Sequence, residues 1–185
     1  MKISVWLMPK QPDFDSLQMQ IGQLAKILST KDHILPTFIP HVTVVGGIEC
    51  PSLEVAERFA SELAKGFRGH GGLKCSFETP TTQWLNDDKT PKWNTACVAP
   101  MEQSDRFDQI VTRVHIAMQS VGLQFRSITP PAHFSFVYAD MLLDQSTFPP
   151  PPPSFECDVG ALYCTSPSGL DGVQHWYEIS RFSLL

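Results

Sequence analysis

Residues 37–45 read TFIPHVTVV and residues 129–137 read TPPAHFSFV. Laid over each other at an offset of 92, they share an opening threonine (Thr37, Thr129), a histidine (His41, His133), a hydroxyl residue two places on (Thr43, Ser135) and a closing valine (Val45, Val137). The offset is almost half of the 185-residue chain. One repeated word can arise by chance. A repeated strand–helix–strand unit carrying the same polar word points instead to internal duplication. The expected fold class is therefore α+β. Two lobes, each an antiparallel β-sheet with helices outside, are related by a pseudo-twofold axis and line a central cleft. Residues 1–185 make a single domain of ordinary size.

The neighbouring segments supply the rest of each unit. KISVWLMP (2–9) alternates, with Ile3, Val5 and Leu7 on one face and Lys2, Ser4, Trp6 and Met8 on the other, which is a strand. A helix is expected over about 15–29, with Asp13 or Asp15 as N-cap and Leu17, Ile21, Leu24 and Leu28 in its apolar stripe. HVTVV (41–45) forms a short strand ended by Gly46-Gly47. Ser52 caps a second helix that buries Val55, Phe59 and Leu63 and stops at Gly66. The second half repeats the order. It has strands at about 73–79 and 95–99, a helix at about 105–121, the strand 133–137, and two closing strands at about 155–164 and 174–183. WLNDDKTPKW (84–93), polar and aromatic at both ends, is the lid candidate.

Composition narrows the function. Lys+Arg is 14 against Asp+Glu 19, a net charge of −5, so the basic excess that long nucleic acid demands is missing. No apolar run reaches the roughly 18–20 residues of a membrane helix, and the first residues lack the features of a signal peptide. Five widely spaced cysteines with no C-x-x-C indicate neither a zinc site nor a disulfide framework, and a cytoplasmic location is expected. The expected partner is a small molecule, the expected state a monomer.

Period-2 geometry puts His41 and Thr43 on one face of their strand, with Val42 and Val44 opposite. It treats His133 and Ser135 likewise against Phe134 and Phe136. Two such strands facing each other bring together two imidazoles and two hydroxyls. One neutral histidine can take a proton from water while a protonated one gives a proton to the leaving oxygen. The hydroxyls suit the non-bridging oxygens of a phosphate. No third ligand type accompanies the histidines, so neither a metal nor a cofactor is implied. The set suits hydrolysis of a strained cyclic phosphodiester.

PHVTVV (40–45) and AHFSFVY (132–138) resemble the paired H-x-T/S-x motifs of the two-histidine (2H) phosphoesterase superfamily. The nearest likeness is to the plant and fungal cyclic phosphodiesterases, which open ADP-ribose 1″,2″-cyclic phosphate. SVWLMP (4–9) resembles that family's opening strand, and VQHWYEIS (173–180) its closing one. The resemblance implies catalytic roles for His41 and His133, with His133 activating water and His41 protonating the leaving oxygen. It implies substrate contacts from Thr43 and Ser135, stacking on base or ribose by Trp6, and a contact from Tyr138. It also implies opening of nucleoside 2′,3′-cyclic phosphates to 2′-phosphates. Ideal alternation places Tyr138 on the Phe134 and Phe136 face, so its role requires a bulge or a strand end. An RNA-end-processing enzyme and a non-catalytic nucleotide-binding module are the competing readings.

Overall fold

The structure is a computed structural model, described over residues 1–84, 95–124, 132–141, 143–167 and 169–185. The lid candidate, apart from Trp84, and residues 129–131 of the second repeated word lie outside the described residues. Among the described residues no helix is long and apolar enough to cross a membrane.

Within the described residues, eight strands and three α-helices run in the order β1 (Lys2–Pro9), α1 (Asp13–Leu28), β2 (Val42–Glu49), α2 (Leu53–Phe67), β3 (Leu73–Cys75), β4 (Thr81–Trp84), β5 (Thr95–Pro100), α3 (Asp105–Ser120), β6 (His133–Ala139), β7 (Phe155–Cys164) and β8 (Tyr177–Ser183). Every pairing among them is antiparallel. The main path runs β3-β7-β1-β2-β6-β5-β4, with β8 also on β7. The duplicated units β1–α1–β2 and β5–α3–β6 flank the centre of this path as pseudo-twofold mates. The two expected sheets meet at one residue pair, Val42 with Phe134, and so run on as a single sheet.

Each helix of the duplicated pair lies over the other unit's strand: α1 against β6, α3 against β2. Their stripes (Leu17, Ile21 and Leu24; Phe107, Ile110, Val114 and Met118) are buried with Ile3, Val5 and Leu7 of β1 and Val42 and Val44 of β2. Phe134 and Phe136, fully buried, meet edge to face with centroids 5.0 Å apart. Burying one such ring contributes about 1.5–3 kcal/mol. With one face of the sheet committed to this core, the alternate residues of β1, β2, β6 and β7 face the opposite side. The five cysteines are buried thiols.

Several local expectations change. Pro12, not Asp13 or Asp15, occupies the N-cap of α1, with no side-chain cap; both aspartates lie in the first turn, where their charge suits the helix dipole. Ser52 caps α2 as expected, its side chain accepting from the Val55 N–H. Gly46-Gly47 does not end β2, which continues to Glu49. Gly47, at φ 66°, instead sits within a register shift against β1. β4 is a short polar edge strand that alternation did not reveal.

Candidate functional site

The single β2–β6 pair arranges the repeated words. Val42 stands opposite Phe134, and the same antiparallel register carried one residue either way sets Thr43 across from His133 and His41 across from Ser135. All four side chains lie on the face away from the core, where residues directly opposite point the same way. Each imidazole thus has the other unit's hydroxyl beside it.

A bulge completes each word. On β6, Ser135 pairs with Val98 and Val137 with Cys97, so Phe136 is the extra residue. On β2, Thr43 pairs with Trp6 and Val45 with Val5, so Val44 is the extra residue. Val44 and Phe136 are again 92 apart: the duplication preserves the bulge as well as the polar residues. A bulge resets alternation. Tyr138 therefore reaches the same side as Ser135, and its hydroxyl donates to Ser135 Oγ at 3.1 Å. That meets the condition its sequence position imposed. In the first unit the position equivalent to Tyr138 is Gly46, which leaves space. A cavity of about 220 Å³ opens there, with Ser4, Trp6, His41, Thr43, Gly46 and Tyr138 among its walls.

His41 is 3% exposed and its Nδ1 lies 2.6 Å from the Ile39 carbonyl. A carbonyl only accepts, so Nδ1 carries the proton and Nε2 holds a lone pair. Burial, aided by the nearby His133 charge and opposed by the Ile39 hydrogen bond, pushes its pKa down to about 4. At neutral pH the His41 ring is therefore uncharged, with its Nε2 lone pair able to accept a proton. His133 is half-buried at the start of β6. Burial raises the Tyr138 pKa, keeping the phenol protonated, while its bond to Ser135 opposes the shift.

Trp6 has a different place from the one expected. Its indole stacks on His41 with centroids 3.7 Å apart and planes 13° apart, and on Tyr163 at 4.1 Å and 23°. β1 lies between β2 and β7, whose segments bring these rings, so the indole is held between them and is only 3% exposed. Neither face is open to a base or a ribose. What Trp6 stacks on is the imidazole. Tyr163 donates to Glu178 Oε2 at 3.1 Å, and Glu178 is in turn paired with Arg181. Trp176, half-buried with its Nε1 donating to the Pro167 carbonyl, also lines the cavity. The aromatic edge of the site thus includes Trp176 as well as the anticipated Trp6. The sequence marked Trp176 only as part of a closing strand.

The low pKa of His41 has a consequence for stability. Between about pH 4 and 6.5 the unfolded chain binds a proton that the folded chain does not, so the stabilisation is complete above pH 6.5 and is lost as pH falls toward 4. The shift corresponds to about 3 kcal/mol. Denaturant unfolding from pH 7 to pH 4 should therefore show a steeper loss for the natural chain than for His41→Asn, whose amide keeps a donor for Ile39. Equal slopes would mean that His41 is not held neutral. Glu178 and Asp144, both shifted down, act equally in the two chains.

Among the described residues no group of three or more His, Cys, Asp or Glu side chains could hold a metal ion. Residues 1–74, which span β1, α1, β2 and α2, match a family model described as cyclic phosphodiesterase-like protein. No curated protein matches the chain in sequence. The fold is that of several solved structures. One is a crystal structure of a phosphoesterase (14% identity, 98% of this chain and 97% of that one, TM-score 0.63). Another is E. coli LigT complexed with 3′-AMP (15%, 98% and 96%, TM-score 0.62). A third is TT0787 of Thermus thermophilus (14%, 100% and 98%, TM-score 0.62).

Proposed function

We propose that this chain is a two-histidine phosphodiesterase that hydrolyses small cyclic phosphodiesters without a metal ion. The observation that carries the reading is the two-by-two block of His41, Thr43, His133 and Ser135, built by the duplicated units on one face beside a cavity. The match of the first 74 residues to the cyclic phosphodiesterase-like model supports it. So does the phosphoesterase fold along the whole chain.

Phosphorus sits between the imidazoles. His41 Nε2 accepts a proton from water as the water oxygen bonds to phosphorus. The P–O bond to the leaving ribose oxygen breaks, and His133 protonates that oxygen, leaving a phosphomonoester. Thr43 and Ser135 donate to the non-bridging oxygens. Because Tyr138 donates to Ser135 Oγ, the serine's own proton is turned outward to the phosphoryl group. Trp6 and Tyr163 fix the plane of the base. Adenine nucleotides are bound by LigT in the structures with 3′-AMP and with NADP+; the substrates proposed here belong to the same class. They are ADP-ribose 1″,2″-cyclic phosphate, opened to ADP-ribose 1″-phosphate, and nucleoside 2′,3′-cyclic phosphates, opened to 2′-phosphates. The setting proposed is a monomer in the cytoplasm. An RNA-end substrate is the second reading, supported by the 3′-ribonucleotide that LigT binds in one structure but not by the net charge of −5.

Phosphorus NMR of both cyclic phosphates incubated with the protein and excess EDTA should show opening to the single monoesters named. Loss of turnover in EDTA with recovery on adding a divalent metal would overturn the metal-free mechanism. Cleavage of RNA ends alone would favour the second reading.

A further inference from the structure

The pseudo-twofold makes the two sides of the dyad equivalent in plan, yet their floors differ. On β5 the residues directly opposite His133, Ser135 and Tyr138 are Pro100, Val98 and Ala96, all without side-chain hydrogen-bonding groups. On β1 the equivalents of Val98 and Ala96, again 92 positions away, are Trp6 and Ser4. Beyond Ser4 on the same face comes Lys2, and the cavity extends along this side past Gly46 and Gly47 to Thr165. The polar groups there are tied into one frame. Ser4 Oγ lies 3.2 Å from Thr165 Oγ1 and accepts from the Gly47 N–H at 3.4 Å. The Lys2 backbone N–H donates to Ser166, and its carbonyl accepts from Thr165.

Among the described residues, Lys2 is the only Lys, Arg, Asp or Glu on the cavity wall. Glu49 stands across from it in the β1–β2 register, but no carboxylate among the described residues lies within 4 Å of its ammonium. Gly46 keeps the passage open. A Cβ there would come to 3.4 Å from Thr43 Cγ2 and 3.7 Å from Ser4 Oγ, and a larger side chain, as at the equivalent Tyr138, would fill it. Lys2 is four residues along β1 from Trp6, about 13 Å at the rise of a strand. Extended along the cavity toward Trp6, its four-carbon stem would span about half of that distance. What remains is about one furanose ring with its exocyclic carbon.

We propose that Lys2, with the Ser4–Thr165 hydroxyl pair and the Gly46-Gly47 opening, forms a subsite for a second anionic group on the substrate, a phosphate carried on the 5′ carbon of the ribose whose cyclic phosphate is opened. The subsite rests on the phosphodiesterase reading for its place in catalysis, and sets the direction in which substrate lies. The cyclic phosphate is at the dyad, the ribose is over Thr43 and Gly46, and the 5′-phosphate is at Lys2. Closure by Tyr138 on the other side disfavours the opposite direction.

Binding tests the subsite independently of turnover. By titration calorimetry, adenosine 2′,5′-bisphosphate should bind the natural chain about tenfold more tightly than adenosine 2′-phosphate, the range of a hydrogen bond to a charged group. That ratio should fall toward one in Lys2→Met, be largely kept in Lys2→Arg, and grow modestly in Glu49→Gln, where a negative charge across the strand pair that repels phosphate is gone. A ratio near one in the natural chain, or one unchanged in Lys2→Met, would overturn the subsite. In turnover, kcat/KM for adenosine 2′,3′-cyclic phosphate bearing a 5′-phosphate should exceed that for the unphosphorylated compound by a similar factor, carried in KM. Absence of turnover on both compounds, with the binding ratio intact, would sink the hydrolase reading and leave the subsite standing.

Discussion

An activated aryl phosphodiester that fits the cleft should restore most of the rate lost in His133→Ala and leave His41→Ala slow. On the natural cyclic substrate each single change should cost several orders of magnitude. General acid and general base each contribute on the order of 10²–10⁴-fold. The double variant should lose far less than the product of the two, because a pair acting as a unit fails when either member is missing. The aryl leaving group separates the roles, since it departs without a proton and makes the acid dispensable. The assignment rests on the surroundings of His41: a neutral buried ring with Nδ1 donating to Ile39 and Nε2 free to accept. A pH profile on the natural substrate cannot by itself tell this assignment from its reverse, because both require one proton on the pair. The rescued His133→Ala variant has one titrating partner left. Its kcat/KM should rise with pH and then level off, following deprotonation of His41, at a midpoint above the natural chain's value of about 4 because the lowering influence of the His133 charge is gone. Rescue of His41→Ala in place of His133→Ala would reverse the roles. Rescue of neither would remove the acid–base division.

The repeated word was legible because duplication kept the residue types the site needs at equal spacing, while the core beneath was free to vary. Val42 and Val44 on β2 become Phe134 and Phe136 on β6, changing volume but not polarity. That difference alone leads from His-x-Thr/Ser to the right face of the right strands. The bulges were not legible. Val44 and Phe136 are ordinary strand formers with no glycine or turn residue to mark them, and a bulge is defined by the partner strand, which alternation within one segment does not see. Hence the sequence left Tyr138 facing the core. Trp6 shows a different limit. Alternation placed it correctly on the polar face of β1, but the two rings stacked on it come from segments 35 and 157 residues away, at His41 and Tyr163. The placement was readable, and the stacking partners required the fold. The protonation of His41 was similarly hidden, because burial and a carbonyl two residues upstream, not the residue type, decide it.

Thr43→Ala and Ser135→Ala should each slow turnover on the order of 10²-fold, chiefly in kcat, as expected for loss of one donor to a developing phosphoryl charge. The two changes should differ in their side effects, and the difference tests the geometry. Thr43 is half-buried at the cavity wall. Its loss should leave thermal stability near that of the natural chain. Ser135 is 3% exposed and accepts the Tyr138 hydroxyl. Its loss takes that acceptor from a buried phenol and should cost about 1 kcal/mol of stability. Tyr138→Phe separates the two contributions. It keeps the serine's donor but releases its orientation, so turnover should fall by less than in Ser135→Ala. Should both hydroxyl variants turn over near the natural rate, Thr43 and Ser135 would not touch the phosphoryl oxygens. If Tyr138→Phe were slower than Ser135→Ala, the phenol would contact substrate itself and would not act through the serine.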